Sequence, residues 1–345
     1  MEIDNADATP GQTGSRGGKA LVLGASGFLG SHVARLLAEA GRELRIFTRP
    51  SSDVSLLADL ELEHVHGDVS DKDSLLRAME GCSSVFHCVV DTRAWLADPA
   101  PLYRTNVDGL RNSLEAALEQ GVEKFVLTSS IVTIGLNPSG VASEEDEFNW
   151  WDEAPPYIRT RVMGERLLAE FVERGLDAVA CCVATTFGGN DRQPTPHGDM
   201  ILRVVKRRMP AYWDISMNVV GVRDAAEALI LADRHGRAGG RYIIADSFMT
   251  MQEGCALAAK FAGVPPPRIH IPMWLMYAWV WPVEKINVLF GRDTVLTIKS
   301  LDISQTMGDF DISKAEKELG WRPRPMELSL REAVDYIQNS GRFDD

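Results

Sequence analysis

Five cysteines in 345 residues are too few, and of the wrong parity, for a disulfide-stapled fold. Cys181 and Cys182 are neighbours inside an apolar run, which reads as buried free thiols in a reducing, cytoplasmic compartment. None of the seven histidines falls at a metal-ligand spacing, so no metal site is expected. Basic charge is also short: 36 Lys and Arg stand against 49 Asp and Glu, a formal net charge of −13. That argues against nucleic acid as a partner and against anionic membranes as a bulk electrostatic one. There is no internal repeat, no low-complexity tract and no clean apolar run of bilayer-spanning length. The strongest candidate, Ile271–Phe290, is broken by Pro282, Glu284, Lys285 and Asn287. Residues 1–18 carry no apolar run and read as a disordered tail rather than a signal or transit peptide.

What is present is an alternation of short apolar runs and amphipathic stretches from Lys19 to Val183. The runs are Ala20–Leu23, Leu44–Phe47, Leu62–His66, Ser84–Cys88, Lys124–Thr128 and Ala178–Val183. Helical periodicity fills Phe28–Ala40, Asp73–Met79, Pro101–Gln120 and Tyr157–Arg174, with a short piece near Ser55–Leu60. Gly41, Gly81, Gly121 and Gly175 sit where four of these stretches should end. This pattern predicts an α/β fold of Rossmann type, a doubly wound parallel sheet with helices on both faces. The domain so read spans residues 19–183, with later segments returning to it. Residues 184–345 read as a smaller, mixed substrate lobe: a loop at Pro194–Gly198, a helix over Met200–Arg208, a strand at Asn218–Val222, helices over Asp224–Asp233 and Met251–Ala262, strands at Arg241–Ala245 and Arg268–Ile271, and an apolar helix over residues 272–290.

The first apolar run leads into Gly24-Ala25-Ser26-Gly27-Phe28-Leu29-Gly30 and then into helical sequence. Strand, glycine turn and helix in that order suit a dinucleotide phosphate. Gly24 permits the sharp turn, Gly27 clears the pyrophosphate's approach, and Gly30 lets helix and strand lie close. The free N–H groups of the helix start then face the anion. The second run ends Thr48-Arg49-Pro50-Ser51-Ser52, with no acid before Asp53. An acid there would bind a ribose 2′-hydroxyl; Arg49, helped by Ser51 and Ser52, suits a 2′-phosphate. NADP(H) is therefore favoured over NAD(H). Asp68 and Val69, after the third run, suit the adenine edge and face, and Asp68 is equally placed to cap the next helix. Tyr157 and Arg161 share a helical face, and Ser130 ends the fifth run. A hydroxyl, a tyrosine and a cation form a proton-donor set for carbonyl chemistry, because a phenol of pKa near 10 needs a nearby positive charge to work near neutrality. His87 reads as a core histidine, and His197 as a loop residue.

These motifs, with Tyr103–Gly109, Thr128-Ser129-Ser130 and Phe310–Ala315, make the chain similar to the extended short-chain dehydrogenase/reductases over nearly all of residues 19–338. Within them it most resembles the 3β-hydroxysteroid dehydrogenase and dihydroflavonol-reductase-like branch. The resemblance implies Tyr157 as general acid/base, Ser130 on the substrate oxygen, and Arg161 where the family carries a lysine that holds the nicotinamide ribose. It implies cofactor contacts from Gly24, Ser26, Gly27, Phe28, Leu29, Gly30, Arg49, Ser52, Asp68, Val69, Thr128, Tyr157, Arg161, Ala184 and Thr186. Ala184 stands where the branch has proline, before a nicotinamide-side loop at Thr185–Gly188. Asn106 has a structural or relay role. Arg93 and Trp95, after the fourth run, are substrate-contact candidates.

The expected activity is NADP-dependent interconversion of a secondary alcohol and a ketone on a bulky, apolar, steroid-like or polycyclic molecule. Two alternatives stand beside it: a nucleotide-sugar epimerase or dehydratase with bound NAD, and a dinucleotide-binding protein with weak or no catalysis, which Arg161 keeps open. The tryptophan-rich stretch 272–290 reads as a packing helix, an apolar substrate wall, or a peripheral membrane contact. Relatives pair through Pro101–Gln120 and Tyr157–Arg174, which implies a homodimer.

Overall fold

A computed structural model describes residues 17–137, 140–290, 297–306 and 308–343. The strands are β1 (Lys19–Leu23), β2 (Leu44–Thr48), β3 (Glu63–His66), β4 (Cys82–His87), β5 (Lys124–Ser130), β6 (Val141–Ala142), β7 (Ala178–Val183), β8 (Thr185–Phe187), β9 (Ala211–Trp213), β10 (Ser216–Gly221), β11 (Arg241–Ile244), β12 (Ser247–Thr250), β13 (Ile269–Ile271) and β14 (Asp309–Phe310). Seven of them form one parallel sheet in the order β11-β7-β5-β4-β1-β2-β3. The chain builds outward from β1 to β3, then crosses back to β4. The crevice beyond β1 and β4 is therefore the topological switch point, where sheets of this class bind ligands.

Helices cover both faces. On one side lie α1 (Phe28–Glu39) and α7 (Val222–His235), packed over Val22, Ile46, Phe86 and Ile243. On the other lie α2 (Lys72–Met79), α4 (Gly109–Glu119) and α5 (Pro156–Glu173), over Leu21, Leu23, Phe125 and Leu127. Both faces of the central strands are buried, which is why they read as continuous apolar runs rather than alternating ones. The predicted stops at Gly41, Gly81, Gly121 and Gly175 all have positive φ, 66° to 100°. Helix α3 (Ala100–Tyr103) runs through a π turn at Arg104–Asp108 into α4, so the stretch expected as one regular helix carries a bulge. The expected disordered tail at residues 1–18 lies outside the described residues except for its end. There Arg42 Nε donates to the Gly18 carbonyl and Ser83 Oγ to that of Gly17, so these two are held.

The second lobe uses a three-stranded sheet, β12-β10-β8, covered by α6 (Pro196–Val205), α8 (Met251–Ala262) and α11 (Met326–Asn339). Several sequence expectations are corrected here. Thr185–Phe187 is strand β8, paired with β10, rather than a loop. The helix expected from Met200 begins at Pro196, because Thr195 caps it by accepting from Gly198 N–H at 3.0 Å and proline suits a first helical turn. Helix α11, which buries Met326, Leu330, Val334 and Ile337, had no counterpart in the sequence reading. Strand β11 and helix α7 lie beyond residue 183 yet belong to the large sheet and its cover.

The apolar stretch forms α9 (Met273–Leu289), with Pro282 inside it. Met276 and Val280 pack on Leu301 of α10 (Ile298–Thr306), while Trp274, Trp279, Trp281 and Phe290 are 59–70% exposed. No described helix is long and apolar enough to cross a membrane.

Candidate active site

The glycine loop sits at the switch point. Gly24 has φ of +80°, and a Cβ there would lie 2.9 Å from the Cys88 carbonyl; one on Gly30 would lie 2.2 Å from the Gly24 carbonyl oxygen. No side chain fits at either position, as the motif requires. Gly27 is exposed and caps α1 without a side-chain hydrogen bond. The first N–H groups of α1, on Phe28, Leu29 and Gly30, thus remain for an anion. Ser26, Phe28 and Leu29 are half-buried around this cradle. Shape and donors both fit a dinucleotide pyrophosphate.

At the end of β2, Arg49 is exposed, and its side chain pairs with no described group. The chain turns there, Ser52 N–H donating to the Arg49 carbonyl at 2.9 Å. Asp68 accepts from Ser70 N–H at 2.9 Å and from Ser70 Oγ at 2.7 Å; these bonds, with a contribution from Arg49, lower its carboxyl pKa. Asp68 does not cap the next helix. Asp71 does, accepting from the N–H groups of Asp73 and Ser74. Val69 is buried against the space above Gly109, where a Cβ would meet it at 2.7 Å.

At the other end of the crevice, Arg161 Nη2 donates to the Thr128 carbonyl. Arg161 is buried, and its Nε has no partner among the described residues. The bond ties α5 to the end of β5. Tyr157 lies one turn earlier on the same face of α5. Tyr157 is half-buried among Trp150, Phe148 and Val132, and its hydroxyl bonds no described group. Ser130 Oγ accepts a long bond from Val132 N–H at 3.4 Å, which leaves its own proton free. Thr128 Oγ1 contacts Cys88 Sγ at 3.4 Å, in a pocket that pushes the Cys88 thiol up to about 11 by burial. Ala184 is buried, its N–H bonded to Ile244, and Thr186 is half-buried in β8.

Further groups support the site, and of these Thr160, Glu165 and Arg241 escaped the sequence reading. Asn106, in the π turn, accepts from Asp91 N–H at 2.8 Å and donates to the Asp91 carbonyl at 3.0 Å and to Thr160 Oγ1 at 3.1 Å. Thr160 in turn donates to the Tyr157 carbonyl at 2.7 Å. One amide thus links the loop after β4 to the tyrosine turn. Beneath β5, Glu165 accepts from Ser129 and, at 2.6 Å, from Thr133, and pairs with Arg241 at 2.8 Å. The only sequence signal was an acid on the apolar face of α5. His87, at the end of β4, is buried beside Phe125, and neither ring nitrogen has a partner among the described residues. Burial, with Arg161 nearby, lowers its pKa to about 3.

Arg93 forks onto Asp91 at 2.9 and 2.5 Å and is about half exposed, and Trp95 is half-buried beside it. His197 meets Phe187 edge-on. No group of three His, Cys, Asp or Glu that could hold a metal occurs among the described residues.

The sequence pattern of the NAD dependent epimerase/dehydratase family matches residues 20–245. A putative dihydroflavonol 4-reductase of Synechocystis sp. is 33% identical, over 93% of this chain and 94% of that one. A 3 beta-hydroxysteroid dehydrogenase/Delta 5→4-isomerase of Mycobacterium tuberculosis is 29% identical, over 92% and 90%. Among solved structures, gox2253 is 36% identical with a TM-score of 0.84, covering 94% of this chain and 98% of that one. The glycine cradle, the strand order and these matches agree: the chain belongs to the NAD dependent epimerase/dehydratase family, the extended short-chain dehydrogenase/reductases.

Proposed function

We propose that this member is an NADP-dependent oxidoreductase that interconverts a secondary alcohol and a ketone on a bulky apolar substrate. The observation that supports the reading is the Arg161–Thr128 bond, which ties the helix carrying Tyr157 to the end of the strand carrying Ser130, at the sheet edge that also holds the glycine cradle. The free N–H groups at the start of α1 would hold the pyrophosphate, and Arg49 and Ser52 the 2′-phosphate. Asp68 and Val69 would hold adenine, and Thr128, Ala184 and Thr186 the nicotinamide half. When bound, the nicotinamide supplies or accepts the hydride.

The chain's own residues handle the substrate oxygen. Ser130 Oγ–H donates a hydrogen bond to it and fixes its position. Tyr157 gives its phenolic proton to the oxygen in reduction and takes it back in oxidation. Arg161, one turn away, carries a positive charge beside the tyrosine turn, and a guanidinium holds that charge without relaying a proton. Arg93 and Trp95 flank the substrate side. The relatives named for a flavonoid and a steroid reaction support a flat, apolar substrate class. We also propose a homodimer through α4 and α5, and a substrate or membrane-surface contact at the exposed tryptophans of α9.

A solved nucleoside-diphosphate-sugar epimerase from Pseudomonas aeruginosa is 25% identical with a TM-score of 0.78, which favours the epimerase reading as the second choice. The test is a panel of polycyclic ketones with NADPH or NADH, followed by loss of reduced-cofactor absorbance. Turnover with NADPH is the expected result. NAD released on denaturing the purified protein would favour the epimerase. Cofactor binding with no turnover on ketones or nucleotide sugars would favour a binding protein.

A further inference from the structure

Asp53 is the one acid in the turn that follows β2, four residues after Arg49 and next to Ser52. It does not stand free. One carboxylate oxygen accepts Ser55 N–H at 3.0 Å, and the other takes the guanidinium of Arg192. Arg192 also donates to Ser55 Oγ. The two partners are 139 residues apart: Asp53 belongs to the sheet domain, and Arg192 to the loop between β8 and α6.

That loop is built to deliver Arg192. Asn190 adopts φ of +69°, and Arg192 N–H bonds back to the Asn190 carbonyl at 2.9 Å. Asp191 accepts from Thr195 N–H and Oγ1 at 2.9 and 3.0 Å. His32 of α1 donates Nε2–H to the Gly189 carbonyl at 3.0 Å, docking the loop on the first helix. The Arg192 side chain is only 13% exposed, although Asp53 is about half exposed. The pairing holds the Asp53 carboxyl down, at about 2, chiefly through Arg192 and then Ser55.

We propose that Arg192 is a specificity-determining residue for the cofactor, acting through Asp53. A free carboxylate in this turn would accept from a ribose 2′-hydroxyl and repel a 2′-phosphate. Arg192 occupies and neutralises that carboxylate, leaving no unpaired acid of the turn itself against Arg49. Of the other acids around the crevice, Asp91 is paired by Arg93, while Asp68 is hydrogen-bonded to Ser70 and keeps its charge. Lobe and sheet domain thus set the preference jointly. This inference rests on the NADP reading above.

The experiment measures the Kd of NADPH and NADH, by quenching of tryptophan fluorescence, for the full chain and for Arg192→Ala, Asp53→Asn and the double variant. The unchanged chain should bind NADPH more tightly than NADH. Arg192→Ala should weaken NADPH about tenfold and leave NADH within about twofold or tighter. Asp53→Asn added to Arg192→Ala should restore most of the NADPH affinity, because the acid that Arg192 restrains is then gone. A surface ion pair contributes little to stability, so all variants should melt close to the parent. Equal binding of both cofactors by the unchanged chain would overturn the NADP reading and this inference with it. A clear NADPH preference that Arg192→Ala leaves intact, or that the double variant fails to restore, would overturn the inference alone.

Discussion

Arg161 grips the carbonyl of Thr128, and that bond, with the one from Ser129 to Glu165, joins the helix carrying Tyr157 to the strand carrying Ser130. The guanidinium is long, planar and permanently charged, so it can brace the strand end and still supply a field at the tyrosine turn. If that charge is used, Arg161→Lys retains or raises kcat, and Arg161→Ala lowers it by about two orders of magnitude. Steady-state rates with the best ketone check this, and equal rates in all three proteins would remove Arg161 from the chemistry.

Tyr157→Phe deletes one hydroxyl and leaves the ring packed on Trp150 and Val132. The expected fall in kcat is about 10² to 10⁴-fold, with NADPH affinity little changed. Titrating cofactor into the variant separates a chemical role from a binding one.

Arg49→Ala should weaken NADPH by about tenfold or more and NADH by far less, since Arg49 is exposed and its side chain has no other described partner to lose. Parallel Kd measurements decide it; a similar loss for both cofactors would move the 2′-phosphate elsewhere.

His87 gives a pH dependence that belongs to the fold. Its folded pKa, about 3, lies below the ordinary histidine value because burial disfavours the imidazolium. The unfolded chain therefore takes up a proton near pH 6.5 that the folded chain refuses. From this residue, stability is full above pH 6.5 and falls as pH drops toward 3, by about 1.4 kcal/mol per pH unit. His87→Leu should flatten that part of a urea-denaturation profile and cost little at pH 7, because neither ring nitrogen has a partner among the described residues.

Asn106→Ala removes three buried hydrogen bonds and orphans the Asp91 N–H. A loss of about 2 to 3 kcal/mol is expected, together with lower kcat, because the loop after β4 and the Tyr157 turn lose their link. Chemical denaturation and turnover of the same preparation test both halves.

Much of this molecule can be read along the chain. The central strands of the large sheet announce themselves because burial on both faces demands largely apolar runs, and four of the helix ends because left-handed closure favours glycine. Gly24-x-x-Gly27-x-x-Gly30 is legible for the same kind of reason: a local backbone conformation and a close approach leave no room for a side chain. The smaller lobe is less legible. Its strands are two to six residues long, and α11 shows a helical pattern whose partner surface is assembled from β8, α6 and α8, far away in sequence.

By itself, then, the sequence determined the parallel sheet, the anion cradle, the absence of an acid before Asp53, and the presence of Ser130, Tyr157 and Arg161. These follow from periodicity, glycine and charge, which act over a few residues. Only the tertiary structure decided what those groups touch: that Arg161 spends a donor on Thr128, that Asn106 spans a loop and a helix, that Glu165 meets Arg241 under β5, and that Arg192 reaches Asp53 across 139 residues. Hydrogen bonds and ion pairs are short-ranged in space and indifferent to separation along the chain. Their partners become known only once the fold has brought them together.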